Sequence, residues 1–572
     1  MKRYNLPNLL TFGIASLPFI NPIHLYPDGD FSSQAIAFAL SIGLITYLIA
    51  KERKLRTSTI SIILFYLLIV ILLHPQKNEY SYAAVLVLFC ATLLSATIGS
   101  TSKDAILHGL IAGTLINCAA GYVQLFGFTE VLKPFVFWEP NNPNATIYGN
   151  IAQRNLFTSY IFIGLLAAIH THSSKNTKKS KLILITVLIS IAPLLAFSAS
   201  RSIFLYLAAS LIVTIAARRY GPSNDYSYRL LKALICSFAI LLACQILTSF
   251  FASQETGMTR LAGGDAIRIA EWQKSINIIR DNLPWGVGWE NYAHHSFLEQ
   301  LKQPSASQNT TWTHSHNIVL NLLSELGVMA IPLLAGLTLV SISLTKKTIE
   351  AGEDYFSLLS VVVLALHSLL EYPLWYTHFL TLLIAIISTS PLKRTEILLT
   401  GVTKNAILAS CILLLLATIA TSIQYNYLIK NIYRSSDQLS NIEKTANFNR
   451  IAANPALSFP ADLSSLNFLP IASGNLRLCL IYRMATFLPT YTLLDKLAIE
   501  LYVAEENVLA RRVINSRYSA YPTESNDVFL EDMKGFSKED QAAIRQDLKI
   551  AKEKRSQENL YKLEELDQCP SQ

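Results

Sequence analysis

Two histidines one residue apart, His314 and His316, stand in the segment TWTHSHN (residues 311–317), at the threshold of the apolar run IVLNLLSEL. An imidazole accepts and returns a proton near neutral pH, so such a ring suits a general base. The plainer reading is a capping or packing role at the start of the following helix. Zinc would need further ligands, and neither a CxxC nor a Cys/His cluster supplies them. Asn317 follows directly and is a candidate for positioning a substrate. Arg201 lies in LLAFSASRSIFLYLAAS, an otherwise apolar setting. An arginine at membrane depth is costly and points to function or a partner. Its guanidinium either grips phosphate oxygens in a bidentate way or snorkels to lipid headgroups. Gln153 and Arg154 lie in GNIAQRN, after the Pro/Asn-rich WEPNNPNAT. That segment reads as a helix start with Asn150 near the cap, or as a polar lining for a substrate. His367, Glu371 and Tyr372 recur at helical spacing in ALHSLLEYPLWYTHF, where Pro373 breaks the helix and Trp375 and Tyr376 suit an interfacial belt.

The elements that must position these groups are mostly membrane helices. The chain has 572 residues, 52% hydrophobic and only 15% charged, where a soluble protein usually has about 25% charged residues. Apolar runs of membrane-spanning length recur up to about residue 425. They predict about thirteen spans, near 6–25, 33–50, 58–73, 81–99, 105–127, 150–170, 182–199, 202–217, 230–252, 317–344, 356–371, 375–390 and 405–424. Residues 1–425 then form an all-α polytopic helical bundle with one large polar loop at about 253–316, and residues 426–572 a soluble helical domain. The first run lacks a small-residue cleavage site and reads as a retained helix. Within the loop, isoleucines at 267, 269, 276, 278 and 279 predict an amphipathic helix ending before NLPWGVGW, suited to a membrane surface, with Arg260, Arg268 and Arg280 as nearby cations. In the tail, DKLAIELYVAEENVLARRVI and KEDQAAIRQDLKIAKEKRSQENLYKLEEL read as helices. Helix pairs of a tetratricopeptide kind are possible there, without a clear 34-residue signature.

Lysine and arginine assign the sides. Each basic cluster (Lys51–Arg56, Lys175–Lys181, Arg218–Arg229, Lys346–Lys347, Lys393–Arg394) follows an even-numbered span of the thirteen. The N-terminus is therefore expected inside, and the tail, the large loop and all four polar patches outside. The net charge of +8 reflects these cytoplasmic loops, so no nucleic acid partner is expected. Of the seven cysteines, Cys90, Cys118, Cys236, Cys244 and Cys411 lie in apolar runs, and Cys479 and Cys569 in the tail.

Three of these segments resemble a known family. THSHNIVLNLLSELG is similar to the HxHN…LLxELG signature of the O-antigen ligase and polymerase superfamily. GNIAQRN and LHSLLEYPLWY resemble segments of its protein-glycosylating branch, the bacterial protein O-oligosaccharyltransferases. One departure is Arg154, where the family often has proline. The resemblance implies a GT-C-like inner-membrane glycosyltransferase with a periplasmic active site, needing neither metal nor nucleotide sugar. The donor would be a glycan on undecaprenyl diphosphate, and the acceptor a serine or threonine of a protein, often type IV pilin. By position, His316 matches the superfamily's essential histidine, with His314 beside it. Arg201 matches the arginine that meets the diphosphate, with Arg268 and Arg154 as further donor-binding cations. Gln153, Tyr372, Glu371, His367 and Asn317 would position substrate. The rival readings are a lipopolysaccharide O-antigen ligase, with the same donor and a lipid acceptor, an O-antigen polymerase, and a lipid or sugar transporter. EYPLWY and the long tail argue against the ligase, and the lack of internal repeats against the transporter.

Overall fold

The computed structural model describes residues 5–76, 78–99, 103–137, 139, 147–222, 224–251, 257, 260, 266–302, 311–435, 437–470, 475–522, 524, 533 and 536–554. Most of the Pro/Asn-rich stretch before Ile147, and Cys569, lie outside these residues.

In chain order the long helices are α1 (Leu6–Ile20), α2 (Phe31–Glu52), α3 (Thr59–Leu73), α4 (Tyr82–Thr97), α5 (Lys103–Leu125), α6 (Arg154–Lys175), α7 (Lys178–Phe197), α8 (Ser202–Tyr220) and α9 (Asp225–Phe251). Then come α10 (Ala266–Asp281), α11 (Tyr292–Lys302), α12 (Ile318–Leu326), α13 (Ala330–Ala351), α14 (Tyr355–Ser368), α15 (Thr377–Ser388) and α16 (Gly401–Tyr433). The tail holds α17 (Asn441–Ala452), α18 (Ser458–Phe468), α19 (Asn475–Phe487), α20 (Tyr491–Val503), α21 (Asn507–Ala520) and α22 (Lys538–Lys554). Two short strands, β1 (Lys54–Thr57) and β2 (Thr395–Leu398), pair antiparallel, with Lys54 opposite Leu398. Glu396 on β2 meets Lys54 at 2.8 Å and Arg56 at 3.3 Å. Among the described residues the protein is all-α apart from this ladder.

The expectation of about thirteen spans is corrected. Among the described residues eight helices are long and apolar enough to cross a membrane: α2, α5 to α9, α12 continued by α13, and α16. The five other apolar runs fold as shorter helices: α1 and α3 of 15 residues, α4 of 16, α14 of 14 and α15 of 12. A bilayer crossing needs about 20 residues. Several apolar runs include residues that lie in connections, where breakers stop the helix: Pro22 after α1, Gly99 after α4 and Pro373 between α14 and α15; the run at 58–73 is itself short of a full crossing. Sides counted by parity over thirteen spans therefore no longer follow.

The chain divides into two compact units. The first holds residues 1–69, 86–264 and 332–422. Its hub is α6, buried without interruption from Leu156 to Thr171 and packed against α5, α7, α8, α9 and α14. Small residues permit the close approaches. A Cβ at Gly109 would meet the Phe12 carbonyl oxygen at 2.6 Å, which is how α5 lies directly on α1.

The second unit holds residues 70–85, 265–331 and 423–572. Helices α17 to α21 begin 16 or 17 residues apart, so a helix pair recurs every 32 to 34 residues, close to the tetratricopeptide period. Each helix packs on its neighbour. Phe297 and Leu301 of α11 join the tail's core with Leu494, Leu497, Ala498 and Val513. Buried ion pairs, Arg477–Glu500 at 2.6 Å and Arg517–Asp495 at 2.9 Å, tie α19 to α20 and α20 to α21.

The amphipathic loop helix is present as α10, with its polar side inward. Glu271 accepts from the Tyr292 hydroxyl at 2.9 Å, the Ser296 hydroxyl at 2.6 Å and the Lys274 ammonium at 3.0 Å. Lys274 also donates to Gln300 at 2.9 Å. Glu271→Leu would leave the buried Lys274 without its counter-charge. We expect a loss of about 3–5 kcal/mol, read as a lowered unfolding midpoint of the full chain in detergent.

Candidate functional site

The chemistry-bearing residues fall into two groups, one in each unit. In the first unit the segment GNIAQRN makes a tight entry into α6. Gly149 (φ 58°) sits where a Cβ would meet the Asn117 carboxamide oxygen at 2.8 Å. Gln124 accepts from the backbone N–H groups of Tyr148 and Gly149 at 3.2 and 2.9 Å. Asn150 is not the helix cap. Its amide donates to the carbonyls of Ile20 and Phe135, both at 3.0 Å, and its oxygen accepts from Phe137 N–H. The cap is Gln153, whose side-chain oxygen accepts from Leu156 N–H at 2.6 Å. Cap and turn together fix Arg154 and Asn155 at the helix mouth.

Asn155 joins three segments. Its side-chain oxygen accepts from the Ser200 hydroxyl at 2.8 Å, and its amide donates to the Glu371 carboxylate at 3.0 Å. One turn further, Ser159 and His367 Nδ1 stand 2.8 Å apart, and Thr158 meets Ser198 at 3.3 Å. His367 is wholly buried, placed to brace α6 against α14. Arg201 follows Ser200 at the start of α8 and is half-buried. The turn before it is strained, with Ala199 in the left-handed region (φ 53°) and its carbonyl accepting from Arg260 at 3.3 Å. Tyr372, next to Glu371, stacks on Tyr376 with ring centroids 5.9 Å apart. The structure thus brings Gln153, Arg154, Arg201, His367, Glu371 and Tyr372 to one end of the first unit.

At the other end of α6 a cavity of about 450 Å³ carries mixed charge: Lys103, Lys175 and Arg229 line it with Asp104, Asp225, Glu353 and Asp354. Arg218 and Arg219 close α8, and Lys346 and Lys347 lie near the end of α13, whose Ile349 carbonyl faces Gly221 after α8.

In the second unit the TWTHSHN segment is held from both sides. Thr311 donates to the Pro489 carbonyl at 2.9 Å and contacts the Tyr521 hydroxyl, both in the tail. Asn317 caps α12, accepting from the N–H groups of Val319 and Leu320 at 3.0 and 3.3 Å. Between them, Ser315 N–H donates to Asn321 at 2.9 Å, and the Ser315 hydroxyl to the Asn317 carbonyl at 2.8 Å. His316 takes a left-handed backbone (φ 53°), a conformation that costs about 1–3 kcal/mol for a residue with a side chain and persists only where surroundings impose it. Its ring lies against Trp312, centroids 4.0 Å apart. His314 is half-buried, bonded to Thr313 at 2.9 Å. Burial, and then neighbouring His316, push its pKa down to about 3, so it is neutral at pH 7. Arg268 lies half-buried in the first turn of α10. Glu325, fully buried at the end of α12, accepts from Glu290 N–H at 3.0 Å.

Residues 159–335, which carry Arg201, Arg268 and both histidines, match the O-antigen ligase family. Residues 356–529, which carry His367, Glu371 and Tyr372, match the C-terminal part of the virulence factor membrane-bound polymerase family. By these matches the chain is similar to members of the O-antigen ligase superfamily. It is also similar to a general O-oligosaccharyltransferase of Acinetobacter baylyi, 24% identical over 390 residues, which is 65% of this chain and 67% of the relative. Among the described residues no three His, Cys, Asp or Glu side chains gather as a metal site.

Asn155, Ser200, Asn321 and Glu325 were not singled out from the sequence. Asn155 and Glu371 are 216 residues apart, and nothing local marks the pair. Asn321 and Glu325 do recur one helical turn apart inside the signature segment, a signal that was present.

Two outcomes are expected. Asn155→Leu removes both bridging contacts and should cost about 1–3 kcal/mol, read as a fall in the unfolding midpoint. Burial pushes Glu290 up to about 7. Its folded form holds the proton more tightly than the unfolded chain, so its stabilisation is whole below pH 4.5 and lost as pH rises through 7. Glu290→Gln should flatten the stability profile over that range.

Proposed function

We propose that the protein transfers a preassembled glycan from undecaprenyl diphosphate to serine or threonine hydroxyls of an acceptor protein, with pilin as the leading candidate. Similarity to the O-antigen ligase family and to a general O-oligosaccharyltransferase supports a membrane-embedded glycosyltransferase with a lipid-linked donor. The observation that carries the reading is the imposed backbone of His316, held between a tail contact at Thr311 and the cap at Asn317.

The basic ends of single spans support one sidedness without a count of spans. Arg201 precedes α8, whose far end carries Arg218 and Arg219. Gln153 precedes α6, whose far end carries Lys175. His316 precedes the span Ile318–Ala351, whose far end carries Lys346 and Lys347. Basic ends face the cytoplasm, so Gln153, Arg201 and His316 face the periplasm. Cys479 in the tail is disulfide-bonded, which suits residues 426–572 as a periplasmic domain, an oxidising compartment.

In the reaction His316 takes the acceptor hydroxyl's proton or orients that hydroxyl. The oxygen attacks the anomeric carbon opposite the diphosphate and inverts it. Arg201, with Arg268 and Arg154 as further cations, offsets the charge gathering on the departing diphosphate. Neutral His314 supports the neighbouring ring. Gln153, Asn317, His367, Glu371 and Tyr372 hold the substrate-facing segments in place.

The test is transfer by purified protein in proteoliposomes, supplied with undecaprenyl-diphosphate-linked glycan and either pilin or lipid A core, read by intact mass. Glycosylated pilin is expected. Glycosylated lipid A core alone would identify an O-antigen ligase instead. His316→Ala should abolish transfer while insertion is normal, and Arg201→Ala should slow it by about 10²–10³. Full activity in His316→Ala, or reporter fusions placing Arg201 and residues 311–317 on opposite membrane sides, would overturn the assignment.

A further inference from the structure

Helix α10 is partly inverted for a helix in water. Glu271, Lys274 and Ser275 are buried together with Ile278, while Ile269 is 63% and Ile276 49% exposed. Leu283, seven residues beyond Ile276, is 54% exposed and extends the same line. The line does not stop at the helix end. Val328 N–H donates to the Pro284 carbonyl at 2.8 Å, and Val287 and Gly288 N–H donate to the carbonyls of Ser324 and Glu325, both at 2.9 Å. These bonds fasten the end of α10 to the junction of α12 and α13, where Val328 and Ile331 are also exposed. That junction lies within the candidate span Ile318–Ala351, only 28% of whose apolar window is buried by protein.

On its other flank, Trp285, 52% exposed, accepts through its carbonyl from the His74 ring at 3.0 Å, directly after exposed Leu73 at the end of α3. An apolar line with charged groups on its inner side, flanked by exposed Gln273 and Arg280 and continuing into the surface of a membrane span, suits an apolar cover. Trp285 suits the headgroup boundary, and Arg280, 71% exposed and paired with its neighbour Asp281 at 2.9 Å, lies at the same level.

We propose that the Ile269–Ile276–Leu283 line of α10 is seated in the lipid leaflet that the span Ile318–Ala351 enters, and that lipid itself is its partner. Because α10 packs on α12, whose cap follows His316, the depth of α10 in the leaflet sets the depth of the His316 segment. Only this last clause rests on the function proposed above.

The test places a nitroxide at Ile276→Cys in full-length protein in phosphatidylethanolamine/phosphatidylglycerol nanodiscs, with Cys236 and Cys244 changed to serine. Leu339→Cys on α13 serves as the lipid reference and Glu539→Cys on α22 as the water reference. We expect high collision with oxygen and low collision with a water-soluble nickel chelate, as at Leu339. Nickel access like that at Glu539 would overturn the proposal, and so would exclusion of both reagents, which would mean a protein cover. Ile269→Cys repeats the measurement at an independent exposed position. Transfer activity is measured on unlabelled protein, so the two readings can fail separately.

Discussion

A single carboxamide, that of Asn155, closes the polar end of the first unit. Toward the interior of an apolar bundle a polar group left without a partner costs several kcal/mol, and Asn155 stands half-buried at its mouth. Asn155 meets this constraint by giving its oxygen to Ser200 and its amide to Glu371. Those two contacts join the mouth of α6, the connector into α8 and the connector out of α14. Arg201 and Tyr372 each follow directly on a residue so held. Ser159 and His367 repeat the arrangement one turn deeper. The positions of the candidate donor-binding groups thus depend on a hydrogen-bond ladder, with the surrounding aliphatic packing as its support.

The second unit answers the same constraint at its loop. Lys274 and Glu271 enter the interior only because Tyr292, Ser296 and Gln300 complete their bonding. Ser315 and Asn321 hold the peptide before His316 in a conformation that a free loop would not keep. A ring presented on such a segment loses little freedom on meeting a substrate, which is the preorganisation catalysis requires.

Much of this was legible beforehand. The helix class, the loop helix α10, the cap-like character of the segment before α12 and the break at Pro373 each follow from local composition and spacing. The count of spans was not legible, because an apolar run does not reveal where Pro22 or Gly99 ends its helix. The cap at Gln153 was missed because Asn150 has the stronger intrinsic preference for that place, and tertiary bonds to Ile20 and Phe135 claim its side chain instead. The tail's period was hidden as well. It lies in the helix starts at 441, 458, 475, 491 and 507, which share no sequence signature.

That period bears on how the protein's size can vary. Stacked helix pairs ordinarily lengthen or shorten by whole repeats, since each touches only its neighbours. Here the stack is clasped at two places. Asn454 donates to Gln424 on the emerging end of α16 at 2.7 Å, while Pro489 and Ala520 accept from Thr311 and Gln300 of the loop. The number of repeats therefore acts as a gauge. One pair more or fewer would pull the loop away from its moorings, so a tail of this kind is free to drift in sequence while its length stays fixed.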